Sequence, residues 1–219
     1  MGRSPWALRV RNVSIVAMAA RLLFIHHDFG NSDRTVKRIF LVLAVFSTLL
    51  TASAFGLGLN IQDARALDEA SRSNVRWHML TALATLCTAS LVHAIWLTYF
   101  MGTGRWMEET CRAYGLSEDF QKENHSMKYG TMLAVFGVFL LLLLTGGLGA
   151  AVDPGSSVDF GGWGGLSGPT THFFVASLTI GANLAVNLWE YSTIARNHAL
   201  IERVMDDVRR IRSERGLPA

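Results

Sequence analysis

The sequence predicts an all-α membrane protein with four transmembrane helices, and three observations support this class. Half of the 219 residues are hydrophobic and only 17% are charged, which is too apolar for an ordinary soluble domain of this length. Four stretches stay apolar for at least about 18 residues, close to the length that a helix needs to cross a bilayer. None of these stretches contains Lys or Arg, and the only acidic residue in them is Glu190.

The four predicted spans follow one another with short loops between them. They cover residues 39–59, 77–101, 129–152 and about 171–195. Because the loops are short, no separate soluble domain fits between the spans. We therefore predict three regions, which are a cytoplasmic N-terminal segment (1–38), a four-helix transmembrane bundle (39–195) and a cytoplasmic helical tail (196–219).

The N-terminal segment is predicted to lie along the membrane surface. Residues 5–25 combine arginines with apolar side chains, and Trp6 and Phe24 stand near the two ends of this stretch. Aromatic rings favour the headgroup level and arginines bind lipid phosphates, so this composition is typical of an amphipathic interfacial helix.

The positions of Lys and Arg predict the orientation of the spans. Basic residues are frequent before the first span, after the second and after the fourth, whereas residues 153–170 contain none. Short loops rich in Lys and Arg stay on the cytoplasmic side, so both termini are predicted to be cytoplasmic. Together with the Ala- and Arg-rich composition, this pattern predicts a multi-pass protein of a bacterial plasma membrane.

The charge pattern also indicates which partners to expect. The net charge of +3 suits a surface of anionic lipid headgroups. No basic cluster is interleaved with aromatic residues, so nucleic acid is not an expected partner. The expected partners are therefore the lipid bilayer and other membrane-protein subunits or further copies of the chain.

Small residues at the ends of spans one and three predict a close helix contact. "ASAFGLG" places Ala54 and Gly58 four residues apart, and "GGLGAA" does the same for Gly146 and Ala150. This spacing lets two helix backbones approach closely in a membrane, so we expect spans one and three to touch at their outer ends.

Glycines also predict where the second span ends. Gly102 and Gly104 are expected to break or bend the helix at the membrane surface. A short amphipathic helix over residues 105–114, capped by Gly115, should follow.

The fourth span is predicted to continue beyond the membrane as one helix, because residues 171–215 contain no proline. Aliphatic residues in its last part follow a heptad pattern with charged residues between them. They are Ile194, Ile201, Val204, Val208 and Ile211. Two heptads are too few for an independent coiled coil, so this seam needs a partner. The partner is either helix 105–114 of the same chain or another subunit, and we predict a docking role.

Two histidines are predicted to form an outer polar layer. His78 and His172 each lie one residue inside the outer start of a span that runs in the same direction, so they stand at matched height. Two histidines from two helices at one height are what a six-coordinate b-type haem requires. The alternative is that both imidazoles are solvated at the interface, and their position near the helix ends favours this alternative.

A second polar layer is predicted deeper in the same two spans. His93 and Asn187 are each sixteen residues in, and Asn183 and Glu190 share one helix face with Asn187. Ionisable residues inside a span are costly, so they usually face protein or a water-filled cavity. The simplest interpretation is a structural hydrogen bond between His93 and Asn187, with Glu190 reaching the nearby interface. A proton or ion path, a quinone site or a single axial haem ligand are the functional alternatives.

The sequence contains no pattern typical of an active site or a bare metal site. Cys87 lies in an apolar span and Cys111 has no evident base, so neither is an expected nucleophile. The adjacent pair His26 and His27 matches no ligand spacing. We therefore expect a non-catalytic membrane subunit that scaffolds or regulates a larger complex. A small redox subunit that binds haem b or quinone is the first alternative, and a proton- or ion-conducting protein is the second.

Overall fold

The computed structural model describes residues 35–218 except 65, 67 and 159. The described chain contains four helices and no strand. They are α1 (Thr35–Leu59), α2 (Glu69–Tyr114), α3 (Asp119–Val152) and α4 (Gly168–Glu214). Each is long and apolar enough to cross a membrane, which confirms the all-helical, multi-pass prediction. The predicted amphipathic helix at the N-terminus lies outside the described residues.

Contacts between helices define their directions and the two ends of the bundle. Asn124 of α3 contacts Asn197 of α4, whereas Thr145, later in α3, contacts the earlier Thr179, so these helices are antiparallel. α2 is parallel to α4, because the order of contacting residues rises along both helices. We call the end where α2 and α4 begin the histidine end, and the opposite end the asparagine end.

Helix α2 is one continuous helix of 46 residues, so of the predicted break or bend at Gly102 and Gly104, the break is wrong. Its start is capped by Asp68, whose carboxylate accepts the Ser71 backbone N–H at 2.9 Å. Its end is capped as predicted by Gly115 in the left-handed conformation. Glycine lowers helix propensity but keeps its backbone hydrogen bonds, so packing can hold it in a helix.

Gly104 has a packing role that explains its presence. A Cβ atom at this position would lie 2.9 Å from Oδ1 of Asn124. The absence of a side chain therefore lets α3 bring an asparagine against the α2 backbone.

Helix α4 is a single helix of 47 residues, as predicted. Four seam residues, Ile194, Ile201, Val204 and Val208, are at most 3% exposed, and Ile211 is half-buried. α4 packs against α2 and α3, and the aliphatic seam is buried within this packing.

The burial of the seam agrees with a partner within the chain. Around it, Arg203 pairs with Glu123 of α3 and Arg212 reaches the hydroxyl of Tyr114 of α2. The chain thus supplies its own partner, which was one of the two alternatives, and these aliphatic side chains are not available to another subunit.

Candidate functional site

The structure brings the two histidines of the predicted outer layer together at the histidine end. The ring centroids of His78 and His172 are 6.4 Å apart and the ring planes are inclined by 80°. Both residues are half-buried. The matched heights read from the sequence therefore correspond to a direct side-chain pair.

The ring of His78 is held by the end of α1. Its Nδ1 lies 2.9 Å from the carbonyl oxygen of Ala54. Because a carbonyl only accepts, Nδ1 carries the hydrogen and donates, which leaves Nε2 with a free lone pair. The ring also lies against Gly58, where an added Cβ would be 3.0 Å from Cε1.

The ring of His172 is seated in the same way on the end of α3. A Cβ atom on Gly149 would lie 3.1 Å from Cε1 of His172. The Nδ1 atom of this ring is buried and has no hydrogen-bond partner in the described part of the chain. Each histidine thus packs against a glycine of the preceding helix.

These contacts change the interpretation of the small residues in spans one and three. The atoms nearest to Gly58 and Gly149 belong to histidine rings of α2 and α4. The spacing correctly indicated close approach, but at these two glycines the approaching group is an imidazole of the next helix and not the other glycine-rich span.

The second polar layer is a buried network centred on His93. Its Nδ1 lies 2.9 Å from Oε1 of Glu190, and its Nε2 lies 3.1 Å from Oδ1 of Asn183. His93 is 3% exposed and Glu190 is fully buried. Glu190 therefore does not reach the interface, contrary to the simplest sequence interpretation.

Asn187 lies in this layer but is not the partner of His93. Both polar atoms of its amide are buried without a hydrogen-bond partner among the described residues, and so is Oε2 of Glu190. The two imidazole nitrogens point away from each other, so His93 bridges Asn183 and Glu190, which are two helix turns apart. Asn187 lies between these two residues and makes no hydrogen bond to His93.

A third polar cluster near the asparagine end was missed by the sequence interpretation. Asn124 donates from Nδ2 to Oδ1 of Asn197 at 2.7 Å. Asn197 in turn donates to the hydroxyls of Tyr99 and Thr103 at 3.2 and 3.1 Å. Both asparagines lie outside the predicted spans, where polar residues attract no notice, and the one available signal was the glycine at 104.

A bare metal ion has no evident site in the described part of the chain, where His, Cys, Asp and Glu form no group of three or more. Searches against protein-family models, curated proteins and solved structures find no match for this chain.

Proposed function

We propose that the protein binds a b-type haem between His78 and His172 and carries electrons in a membrane. The observation that supports this proposal is the pairing of the two rings at 6.4 Å. The imidazoles of His78 and His172 would hold the haem, which would supply one-electron transfer when bound.

The spacing of the rings agrees with ligation of one metal atom between them. Bonds between imidazole nitrogen and a first-row metal are about 2.0–2.1 Å long. Two such bonds in line, together with the distance from each nitrogen to its ring centre, put the centroids roughly 6 Å apart.

The number of ligands favours haem over a bare ion. Structural metal sites in proteins use about four side-chain ligands, and only two histidines meet here. The porphyrin supplies four equatorial nitrogens, so haem iron needs only the two axial ligands that this pair offers.

The surroundings of His78 are those expected of an axial ligand. A ligating histidine usually donates its other ring N–H to a carbonyl or carboxylate, which fixes its orientation. The hydrogen bond from Nδ1 to Ala54 has this role.

The position of His78 and His172 near the predicted helix ends argued against haem. The helix bounds in the structure weaken this argument. α2 begins at Glu69, so it extends roughly 13 Å beyond His78 at 1.5 Å per residue. Next to His172, the segment after α3 folds back on the start of α4, where the Trp163 amide donates to the hydroxyl of Thr171. Both features place additional protein outside the histidines.

Orientation and location are part of the same proposal. The distribution of Lys and Arg supports cytoplasmic termini in a bacterial plasma membrane, with the histidine end facing outward. A scaffold role remains a second proposal, but its best argument, the aliphatic seam of α4, is satisfied within the chain.

Absorption spectroscopy of the full chain tests the proposal. Protein purified from haem-supplied cells should show the Soret and sharp visible bands of six-coordinate low-spin haem. His78→Ala and His172→Ala should each abolish the low-spin spectrum or the bound haem. His125→Ala is the matched control, since this histidine contacts Tyr129 at the asparagine end, and it should leave the spectrum unchanged.

Two results would refute the haem proposal. One is a folded protein that carries no haem and shows no spectral change when titrated with hemin. The other is a haem spectrum that survives both histidine substitutions.

A further inference from the structure

We propose that His93 and Glu190 form a proton-binding site inside the bundle, which exchanges its proton with water at the asparagine end. This inference uses residues near the middle of α2 and α4, away from His78 and His172, and it does not depend on bound haem.

The geometry of the pair allows it to hold two hydrogens. When Nε2 of His93 donates to the side-chain amide oxygen of Asn183, the contact between Nδ1 and Glu190 holds a second hydrogen. The pair is therefore an imidazolium with a carboxylate, or a neutral imidazole with a carboxylic acid. Both forms have no net charge, which a low-dielectric interior favours.

Release of one proton leaves the pair with one negative charge. The pair with two uncharged groups avoids separated charges in a low-dielectric interior. From this form the carboxylic acid of Glu190 passes its proton to water and becomes a carboxylate, while His93 stays a neutral imidazole. A second buried ionisable group could compensate that charge, but the buried polar residues described on α1 and α3 are the uncharged Ser47, Asn124 and Thr131. On the helices of the pair itself, Tyr99 of α2 is six residues after His93 and Tyr191 of α4 is next to Glu190. A neutral phenol cannot offset a negative charge, so the pair loses that charge by taking its proton back.

Polar side chains continue from the pair toward the asparagine end. Thr193 is one turn from Glu190 and accepts a hydrogen bond from the indole of Trp96 at 3.0 Å. One turn further, Asn197 contacts Tyr99 and Thr103. At two successive helix turns, α2 and α4 therefore each place polar side chains in the interior of the bundle.

Buried polar atoms without a hydrogen-bond partner among the described residues lie at the level of His93 and Glu190, and another lies near Asn197 at the end of the polar series. Thr131 is seven residues after Asn124 on α3, and Glu190 is seven before Asn197 on the antiparallel α4, so both lie at one level. The hydroxyl of Thr131, Oδ1 of Asn124 and Oε2 of Glu190 have no hydrogen-bond partner within the described chain. Buried polar atoms of this kind are commonly satisfied by internal water, which can carry protons between them.

The series ends next to an open groove. Asn124 packs against Gly104, and Gly104 also lines a groove of about 480 Å³ with His125, Glu108 and Glu109. These titratable side chains can exchange protons with bulk water.

Toward the histidine end, Thr145 and Thr179 are hydrogen-bonded to each other and to backbone carbonyls one turn earlier in their own helices. Thr103 and Thr193 bond to their own helices in the same way. The open groove beside Gly104 is therefore the feature that favours proton exchange at the asparagine end.

Infrared difference spectroscopy after a pH jump tests the inference on the full chain in lipid nanodiscs, with and without haem. Wild-type protein should show a carboxyl band that responds to pH and is absent from Glu190→Gln. Thr103→Val removes a hydroxyl that contacts Asn197 and should slow the response of the band about tenfold. Thr98→Val is the matched control, because the exposed Thr98 bonds only to Ala94 of its own helix.

The inference is overturned if no carboxyl band that depends on Glu190 responds to pH in the folded wild-type protein. It is equally overturned if Thr103→Val responds as fast as Thr98→Val. Neither outcome bears on the haem spectrum, so failure of this inference and failure of the haem proposal are separate results.

Discussion

Glycine-to-alanine substitutions at the histidine end test whether the two imidazoles are held as described. A new methyl group at Gly58 or Gly149 would lie 3.0 or 3.1 Å from a histidine Cε1, whereas at Gly56 or Gly147 it would meet nothing within 4 Å. All four positions are helical. The chain therefore contains two matched pairs, in which the same substitution differs only in what the methyl group contacts.

The expected magnitudes follow from opposing contributions. Replacing glycine by alanine in a helix is favourable by about 0.8–1.0 kcal/mol, and this gain applies at all four positions. At Gly58, overpacking costs about 1–3 kcal/mol, and the displaced ring weakens the 2.9 Å bond from His78 to Ala54. Gly58→Ala should thus be about 1–3 kcal/mol less stable than Gly56→Ala, and Gly149→Ala correspondingly less stable than Gly147→Ala.

Thermal unfolding in detergent measures this difference, since 1 kcal/mol corresponds to about 2–4 °C for a chain of this size. Gly58→Ala and Gly149→Ala should also bind haem more weakly, because their rings must move by a few tenths of an ångström. Equal melting temperatures within both pairs would refute the packing argument and remove the rigid support expected for axial ligands.

Three further predictions concern other parts of the molecule. His93→Leu should destabilise the bundle by about 3–5 kcal/mol, because it leaves the buried Glu190 unpaired, and adding Glu190→Leu should restore most of the loss in the same unfolding assay. The hydrogen bond from the Ser71 backbone amide lowers the pKa of Asp68. The contribution of Asp68 to stability is therefore complete above the ordinary carboxyl pKa, and it is lost as the pH falls through the lowered pKa of the folded protein. Asp68→Ala should flatten that acidic part of the pH–stability profile, and an unchanged profile would contradict the cap. Ile201→Ala should cost about 2–5 kcal/mol, whereas Leu188→Ala, at a side chain 63% exposed, should cost much less; equal losses would contradict the buried seam.

Several features of the fold could be predicted from the sequence because they are properties of single helices. A segment that crosses a bilayer must satisfy its backbone internally and be apolar over a fixed length, and the four spans were located on that basis. Counting residues from the outer start of two parallel spans also predicted that His78 and His172 stand at one height. It likewise placed His93 in a layer with Asn183 and Glu190.

What each polar or small residue contacts was decided only by the tertiary structure. The sequence placed Gly58 in a close contact, but it did not indicate that the contact is with His78. It predicted Asn187 as the partner of His93, whereas the ring bridges the residues on either side. It also left open which helix covers the α4 seam. It predicted a break or bend at Gly104, whereas Asn124 of α3 packs against this glycine. Periodicity specifies which face of a helix a residue occupies, but the rotation and spacing of neighbouring helices determine which faces meet.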